Sequence, residues 1–318
     1  MTPAQLRAFA AVVRLGSVKA AAADLSVSEA AVSTHIARLR GELGDKLYAR
    51  TGAGLAFTPG GLRLAGRAAE LLGLQDRTLL EVSQAGSGRR LLRVAASSLF
   101  AEHAAPGLIE LFASRADDLD VELSVQCPER FSTLLLNRAV DVALGPRPAE
   151  VDKAISAAPF LNYQVVGVVG ARHPLATRHA STSELRQQTW LLGPSATGRT
   201  GIVPTVLRRL NLDEEHQRIF QSHAAALEEA KHGKGVALGL SFAVAEDLAR
   251  GDLKRLTAPP LPAKGVWSSL ALDGPSAPAA VSELIRFLTT PGAIQAMQRS
   301  AGVTAGRFRP AIHVTHWS

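Results

Sequence analysis

The stretch AVSTHIARLR at residues 31–40 combines side chains that could contact a nucleic acid with a regular apolar spacing. Apolar residues recur at positions 32, 36, 39 and 43, which is the spacing of a buried stripe on a helix. The polar side chains on the other faces could contact base edges and phosphates, or they could form a solvated surface. The flanking His35 could equally pack or contact DNA. The candidates for DNA contact are Ser28, Glu29, Ser33, Thr34 and Arg38, with Arg50 and Arg7 as phosphate contacts outside this helix.

A second group of polar residues follows the predicted strands in the remainder of the chain, at the strand ends where open α/β sheets bind ligands. Hydroxyls and free backbone N–H groups at the start of a helix favour anions, although each serine could equally be a helix cap. These positions predict a small, anionic organic ligand. The candidates are Ser97, Ser98, Glu129, Pro146, Arg147, Thr197, Gly198, Thr200, Ser222 and His223.

Motifs for catalysis, cofactors and metals are missing from the sequence. There is no Walker loop, H-E-x-x-H or G-x-G-x-x-G motif, and GPSATG at 193–198 lacks the G-x-S-x-G spacing. The nine histidines are scattered, and the H-x-x-H pair of His313 and His316 has no nearby acidic partner. The single cysteine, Cys127, excludes an internal disulfide. We therefore expect no catalytic residue, no cofactor and no metal site.

Three helices and a hairpin are predicted to position the first group. A helix over 2–15 ends at Gly16, a short helix follows Ser17, and a longer one runs from about Ser28 to Leu43. Two short helices joined tightly to a longer one with a polar face are typical of a helix-turn-helix. The stretch KLYARTGAGLAFT alternates like a small β-hairpin, which would form a wing.

A helix of about eight turns is predicted to begin at Thr58 and Pro59. Its narrow apolar seam needs a partner, and a second copy of the chain is the simplest one. The seam comprises Leu62, Ala65, Ala69, Leu72 and Leu79. The stretch GSGRR at 86–90 then predicts a flexible joint and a domain boundary.

From Leu91 onward, strand and helix signals alternate. The stretches LLRVAAS, DVELSVQ and DVALG are predicted strands separated by helices, and this βαβαβ order predicts a parallel sheet. A second run beginning at YQVVGVVGA repeats the alternation. Two βα lobes with a cleft between them are expected.

Length and charge agree with this organisation. A chain of 318 residues exceeds the usual size of one core, so two or more domains are expected. Residues 1–90 hold 12 Lys and Arg against 7 Asp and Glu (+5), whereas residues 91–318 hold 23 against 21 (+2). The basic N-terminal region suits a polyanion such as DNA, although a solubility surface would carry the same charge. The sequence shows no apolar run of membrane-spanning length and no signal-peptide pattern, so we expect a cytoplasmic protein without a membrane partner.

The chain resembles the LysR-type transcriptional regulators of bacteria over nearly its whole length. LRAFAAVVRLGSVKAAAADLSVSEAAVSTHIARLRGELGDKLYART resembles that family's winged helix-turn-helix almost position by position. FTPGG at 57–61 stands where the family has LTPAG at the start of its linker helix. HGKGVALGLSFAVAEDLARGDL resembles a segment of the family's effector domain, and this match adds Ser241 and Phe242 to the expected cleft.

The resemblance implies a sequence-specific regulator that binds double-stranded DNA and a small-molecule effector. It also implies pairing of the linker helices into a homodimer, commonly assembled further into a homotetramer. The implied fold is α/β, with a winged helix-turn-helix and linker helix followed by a two-lobed, periplasmic-binding-protein-like (type 2) effector domain. The expected boundaries are 1–58 for the winged domain, 59–90 for the linker helix and joint, 91–302 for the effector domain and 303–318 for a tail. Lobe I would comprise about 91–162 and 269–302, and lobe II about 163–268.

Some positions depart from the family pattern. Glu29 stands where the family usually has Gln, Ala30 stands where Pro is common, and the wing TGAGLA lacks the usual basic side chain. These changes bear on DNA affinity and sequence preference. Two alternatives stay open: a constitutive DNA-binding protein whose lobes serve only for oligomerisation, and an enzyme.

Overall fold

The computed structural model describes residues 1–51, 54–274 and 278–299. The predicted tail, including His313 and His316, lies outside these residues, as does the side chain of Arg50. The described residues form two compact units. The first comprises residues 1–87 with 136–139, and the second begins at residue 88 and comprises the rest.

The first unit is helical with one small hairpin. Its elements are α1 (Pro3–Leu15), α2 (Val18–Asp24), α3 (Glu29–Leu43), β1 (Tyr48–Thr51), β2 (Gly54–Phe57) and α4 (Pro59–Ser87). The antiparallel pairing of β1 with β2 confirms the predicted wing hairpin.

Local signals explain where these helices begin and end. Thr2 caps α1 and forms a capping box with Gln5, and Gly16 ends the helix at a φ of 66°. Ser28 caps α3, and Gly44 ends it at a φ of 63°. The predicted bounds of the first three helices are therefore confirmed.

The core of the first unit holds α3 by one face. Val32, Ile36 and Leu39 are buried with Phe9 and Val12 of α1. The prediction that Leu43 continues this buried stripe is wrong, because its side chain is 45% exposed in the last turn of α3. Within the predicted joint at 86–90, α4 ends at Ser87 and the next strand begins at Arg90, and the division between the two compact units falls between residues 87 and 88.

The second unit alternates strands and helices. Its strands are β3 (Arg90–Ala96), β4 (Leu119–Val125), β5 (Val142–Gly145), β6 (Ile155–Gly170), β7 (Trp190–Leu192), β8 (Gln217–Ile219), β9 (Val236–Leu240), β10 (Leu253–Arg255) and β11 (Ala263–Leu272). Its helices are α5 (Ser98–His103), α6 (Ala105–Ala113), α7 (Phe131–Leu136), α8 (Thr182–Arg186), α9 (Ile202–Leu210), α10 (His223–Lys231), α11 (Ala245–Arg250), α12 (Ala279–Leu288) and α13 (Pro291–Gln298). The sequence pattern did not predict α5, α8, α13 or β10.

The strands follow the order β4-β3-β5-β11-β6-β9-β7-β8, with β10 pairing to β6. In lobe I, β3 is parallel to both β4 and β5, as predicted. In lobe II, β7 is parallel to β8 and β9. The long strands β6 and β11 connect the two lobes and pair antiparallel over residues 155–165 and 263–272.

The two connecting strands also carry part of the core. Trp267 of β11 is fully buried and stacks on Tyr163 of β6, with ring centroids 4.3 Å apart. Phe100 of α5 meets the Trp267 ring edge to face at 4.9 Å. These contacts hold α5 against β6 and β11, near the passage between the two lobes.

Among the described helices, none combines the length and the apolar character that a membrane span requires.

Candidate functional site

The polar face of α3 is open to solvent. The side chains of Ser28, Glu29, Ser33, Thr34 and Arg38 are all exposed, while the opposite stripe is buried. His35 on the flank is half-buried. The structure thus brings five of the predicted DNA contacts together at the start and along one side of a single helix.

Two of these hydroxyls already make local hydrogen bonds. Ser28 Oγ accepts from the backbone N–H of Ala31 at 3.1 Å, as an N-cap does. Thr34 Oγ1 donates to the carbonyl oxygen of Ala30 at 2.8 Å. Both oxygens can still accept a hydrogen bond from a partner, because a hydroxyl has two lone pairs.

The two predicted phosphate contacts lie outside α3. Arg7 is exposed on α1, and its Nη2 is 3.2 Å from Asp76 Oδ1 on α4. Such an exposed ion pair contributes little to stability, so Arg7 can exchange partners at small cost. Arg50 lies in β1 at the hairpin, and its side chain is not described.

The long helix α4 exposes apolar side chains in its second half. Leu71, Leu74, Leu79 and Val82 are 41%, 47%, 61% and 68% exposed. In the predicted seam, Leu62 and Leu79 are exposed, whereas Ala65, Ala69 and Leu72 are half-buried. We call Leu71, Leu74, Leu79 and Val82 the exposed seam; it shares only Leu79 with the predicted seam, and Leu62 is exposed on a different side of the helix.

In the second unit, carboxylates of lobe I bind backbone N–H groups of lobe II at two places. The first is Glu129, whose Oε1 accepts from the backbone N–H groups of Arg199 at 2.8 Å and Thr200 at 2.7 Å. Burial tends to raise the pKa of Glu129, but hydrogen bonds from its own backbone N–H, from Thr200 and from Arg199 lower it overall. A carboxylate of the chain itself therefore occupies amides that the sequence assigned to an anionic ligand.

The second bridge joins Glu102 of α5 to the start of α10. Glu102 accepts from the backbone N–H groups of His223 at 2.8 Å and Ala224 at 2.6 Å, and its Oε2 also lies 2.8 Å from His223 Nδ1. On the other side of the ring, His223 Nε2 lies 2.8 Å from Ser195 Oγ. Serine, histidine and carboxylate thus form one hydrogen-bonded chain across the lobes.

The charges in this bridge follow from its surroundings. Burial acts to raise the pKa of Glu102, but hydrogen bonds from the ring and backbone of His223 and from Ala224 lower it to about 2. The neighbouring His103 is half-buried, and its partial burial lowers its pKa to about 4. At neutral pH the site therefore combines an ionised carboxylate with a neutral imidazole.

A Ser-His-carboxylate chain is also the arrangement of a hydrolase relay, so its surroundings decide what it can do. His223 is only 3% exposed. In addition, the N–H of Ala196, which follows the serine, donates to Gly193 O at 3.1 Å within a short 3-10 helix. An oxyanion hole would need that N–H free. The local geometry favours a lobe-to-lobe contact over acyl transfer.

The other predicted ligand contacts differ in their surroundings. Ser97 Oγ is buried and has no hydrogen-bond partner among the described residues. Ser98 is half-buried in the first turn of α5, and Arg147 is exposed. Pro146 faces the other lobe, because a Cβ built on Gly201 would lie 3.3 Å from its Cγ.

Several predicted contacts have structural roles. Thr197 Oγ1 donates to Pro194 O at 2.9 Å, beside the half-buried Gly198. Ser222 caps α10 by accepting from Ala225 N at 3.1 Å. Ser241 begins the turn after β9, and the ring of Phe242 is 6.5 Å from that of Trp267.

The sequence reasoning missed Glu102 and His103. No acid–base group with supporting neighbours was recognised in the sequence, yet His223 and Glu102, which are 121 positions apart, lie 2.8 Å from each other in the fold. The only local signal was the adjacent pair Glu102 and His103 in a segment that was not recognised as a helix.

Family models match both parts of the chain. Residues 3–62 match the bacterial regulatory helix-turn-helix protein, lysR family, and residues 85–291 match the LysR substrate binding domain. The two matches cover the exposed face of α3 and the bridges between the lobes.

Similar proteins include curated relatives and solved structures. The chain is 57% identical over 321 residues to an uncharacterized HTH-type transcriptional regulator of Mycobacterium tuberculosis H37Rv, with 100% of both chains covered. It is 26% identical over 267 residues to the RuBisCO operon transcriptional regulator of Allochromatium vinosum, covering 83% of this chain and 87% of that protein. Its fold is similar to that of CbnR, a LysR family transcriptional regulator, with a TM-score of 0.57, 18% identity and coverage of 91% and 98%.

These matches and the two-part architecture lead to one assignment. The chain belongs to the LysR family: it is a DNA-binding transcriptional regulator with an effector-binding domain.

Proposed function

We propose that α3 reads the operator from the major groove of double-stranded DNA. Ser28, Glu29, Ser33, Thr34 and Arg38 would contact bases and phosphates, and Arg50 and Arg7 would hold phosphates. One observation carries this proposal: α3 is buried on one side only. Its apolar stripe is packed in the core, and its polar face is exposed to solvent. A helix held in this way presents a rigid surface to a groove.

The test of this face is the variant Arg38→Ala. A DNA fragment that the protein binds would first be selected from fragments of the organism's genome. Fluorescence anisotropy would then measure the affinity of the protein for that fragment. Because one good base contact is worth about 1–3 kcal/mol, affinity should fall about fivefold to 150-fold. The matched control is Arg67→Ala on α4, which removes an equally exposed arginine from its pair with Glu70. Unchanged affinity of Arg38→Ala would remove α3 from the recognition surface.

We propose further that the effector domain binds a small organic anion between its lobes. The backbone N–H groups at 199–200 and 223–224 already bind carboxylate oxygens in this structure, which supports the chemistry. The buried Ser97 hydroxyl, which has no partner among the described residues, offers a further donor. An anion could use that hydroxyl, or it could displace Glu129 or Glu102 from the amides.

A thermal-shift screen with small carboxylic acids tests the effector proposal. A bound acid stabilises only the folded state, so it raises the melting temperature by an amount that grows with the logarithm of its concentration divided by its dissociation constant. Ser97→Ala should weaken the response, whereas Ser183→Ala, which removes an exposed serine of α8, should not. The absence of any response to acids of every size would contradict an organic anion in the cleft.

One observation favours the second candidate, a constitutive DNA-binding protein with lobes that only oligomerise. Glu129 and Glu102 of lobe I accept hydrogen bonds from backbone N–H groups of lobe II, so side chains of the protein itself join the lobes. The two candidates differ in operator affinity, which should change with an acid only for the ligand-responsive regulator.

The partner and location that complete this proposal follow from the family. We propose a homodimer through the exposed seam of α4, assembled further into a homotetramer, acting in the cytoplasm without enzymatic activity. The exposed leucines of the seam support self-association, because water disfavours a contiguous apolar surface of this kind.

A further inference from the structure

Three side chains that commonly bind transition metals meet at the Glu102 bridge. Glu102 and His103 come from α5 in lobe I, and His223 comes from α10 in lobe II. Each offers one ligand atom, and these atoms all lie within 4.8 Å of one another. Two imidazoles and one carboxylate are a frequent ligand set for Zn²⁺ and similar ions.

The hydrogen bonds of the bridge do not explain the position of His103, because its ring takes no part in them. Its Nε2 is buried and has no hydrogen-bond partner among the described residues. A buried polar atom without a partner costs free energy, so such atoms usually have an additional role. The ring centroids of His103 and His223 are 5.9 Å apart. A ring nitrogen of His103 lies within 4.8 Å of the ligand atoms of Glu102 and His223.

We propose that Glu102, His103 and His223 bind one divalent first-row transition-metal ion between the two lobes. This site lies outside the DNA-recognition face, and it revises our expectation that the chain has no metal site. The fourth coordination position would be open to water or to an effector.

The surrounding hydrogen bonds suit such an ion. For His223 Nδ1 to bind a metal, the ring proton must lie on Nε2, and Ser195 Oγ is placed 2.8 Å away to accept it. Glu102 stays oriented by the N–H groups of His223 and Ala224. Outer-shell partners of this kind are a regular feature of metal sites.

The change in geometry that binding requires is small. Zn²⁺ bonds to nitrogen and oxygen are about 2.0–2.1 Å long, so tetrahedral ligand atoms lie about 3.3 Å apart. The most distant pair of ligand atoms would therefore approach by at most about 1.5 Å, whereas Glu102 Oε2 and His223 Nδ1, now 2.8 Å apart, would separate by about 0.5 Å. Both shifts are within the reach of side-chain rotation. Since the ligands come from both lobes, the ion would hold the lobes together.

The experiment measures Zn²⁺ binding to full-length, chelator-treated protein by isothermal titration calorimetry. The starting protein carries His313→Ala and His316→Ala, so that tail histidines cannot contribute. It should bind one Zn²⁺ per chain, and His103→Ala in the same background should bind it at least about tenfold more weakly. His216→Ala is the matched control, because it removes a histidine that lies beside Glu215 at 3.7 Å outside this cluster.

A second readout separates ligation from a folding defect. Co²⁺ bound in place of Zn²⁺ should give a visible absorption band that is lost in His103→Ala. Without metal, His103→Ala should still unfold in one cooperative transition, because the variant loses no hydrogen bond at Nε2, which has no partner among the described residues.

Two results would overturn the site. One is a Zn²⁺ dissociation constant weaker than about 10 μM in the starting protein. The other is equal affinity with and without His103. Neither DNA nor an organic acid is present, so failure here leaves the operator and effector experiments unaffected.

Discussion

At the scale of single residues, the polar side chains differ in how much of their hydrogen-bonding capacity is already used. Ser222 and Thr197 make local bonds, and Glu129 and Glu102 bind backbone N–H groups across the lobes. Ser97 has a buried hydroxyl without a partner among the described residues. Residues of the last kind are the stronger candidates for ligand contact, because a ligand would satisfy them without breaking an existing bond.

Arg50 gives a prediction about non-specific DNA contact. If it neutralises a phosphate, Arg50→Ala should weaken binding similarly on all sequences and reduce the salt dependence of log affinity by about 1. Anisotropy titrations at several salt concentrations, on a selected fragment and on a scrambled one, measure both effects. A loss confined to the selected fragment would instead indicate a base contact.

At the scale of elements, helix ends were predictable because their signals are local. Thr2, Ser28, Gly16 and Gly44 each act within about one turn of their own position. The helix α5 escaped prediction because its six residues are too short to show a period. Because α5 was not predicted, the contact that its residue Glu102 makes with α10 was not predicted either.

The bridge itself could not be predicted from spacing. Glu102 and His223 are 121 positions apart, and α5 meets α10 only where the two lobes come together in the fold. The face of α3 was predictable for the opposite reason, since its buried and exposed sides alternate within a single helix. Local patterns therefore predicted the buried and exposed faces of α3 well and the contacts between the lobes poorly.

The junction between the wing and α4 gives a prediction about packing. A Cβ on Gly61 would lie 1.9 Å from the backbone oxygen of Leu47, whereas a Cβ on Gly60 would meet the side chain of Asp45. Backbone cannot move aside as a side chain can, so Gly61→Ala should lower the free energy of unfolding by about 1–3 kcal/mol.

The matched variant Gly60→Ala should cost less, because the Asp45 side chain can shift where backbone cannot. Some loss remains, since Asp45 Oδ1 accepts hydrogen bonds from Thr58 Oγ1 and Leu47 N. Urea unfolding followed by circular dichroism compares the two variants. Equal losses would show that the close approach of Gly61 to Leu47 is not a constraint on this junction.

At the scale of the whole molecule, the exposed seam of α4 gives a prediction about assembly. Leu79→Asp should raise the dimer dissociation constant at least about tenfold, because burying a leucine is worth about 1.5–3 kcal/mol. Light scattering coupled to gel filtration over a range of concentrations measures the change. Leu62→Asp is the control, since Leu62 is equally 61% exposed but lies at about 100° to Leu79 around the same helix.

If Leu79→Asp left the dissociation constant unchanged, the seam would not be the dimer contact. If both variants dissociated the dimer equally, the contact would extend around the helix rather than follow the seam.

The pairing of β6 with β11 restricts how the effector domain can move. The two strands form a ribbon that is hydrogen-bonded to itself where it passes from one lobe to the other. Such a ribbon bends readily out of its plane, but sliding one lobe along it would break the ladder of hydrogen bonds. The lobes therefore have one easy motion, a change in the angle between them. A molecule that touches only one lobe leaves that angle as it was, whatever its affinity.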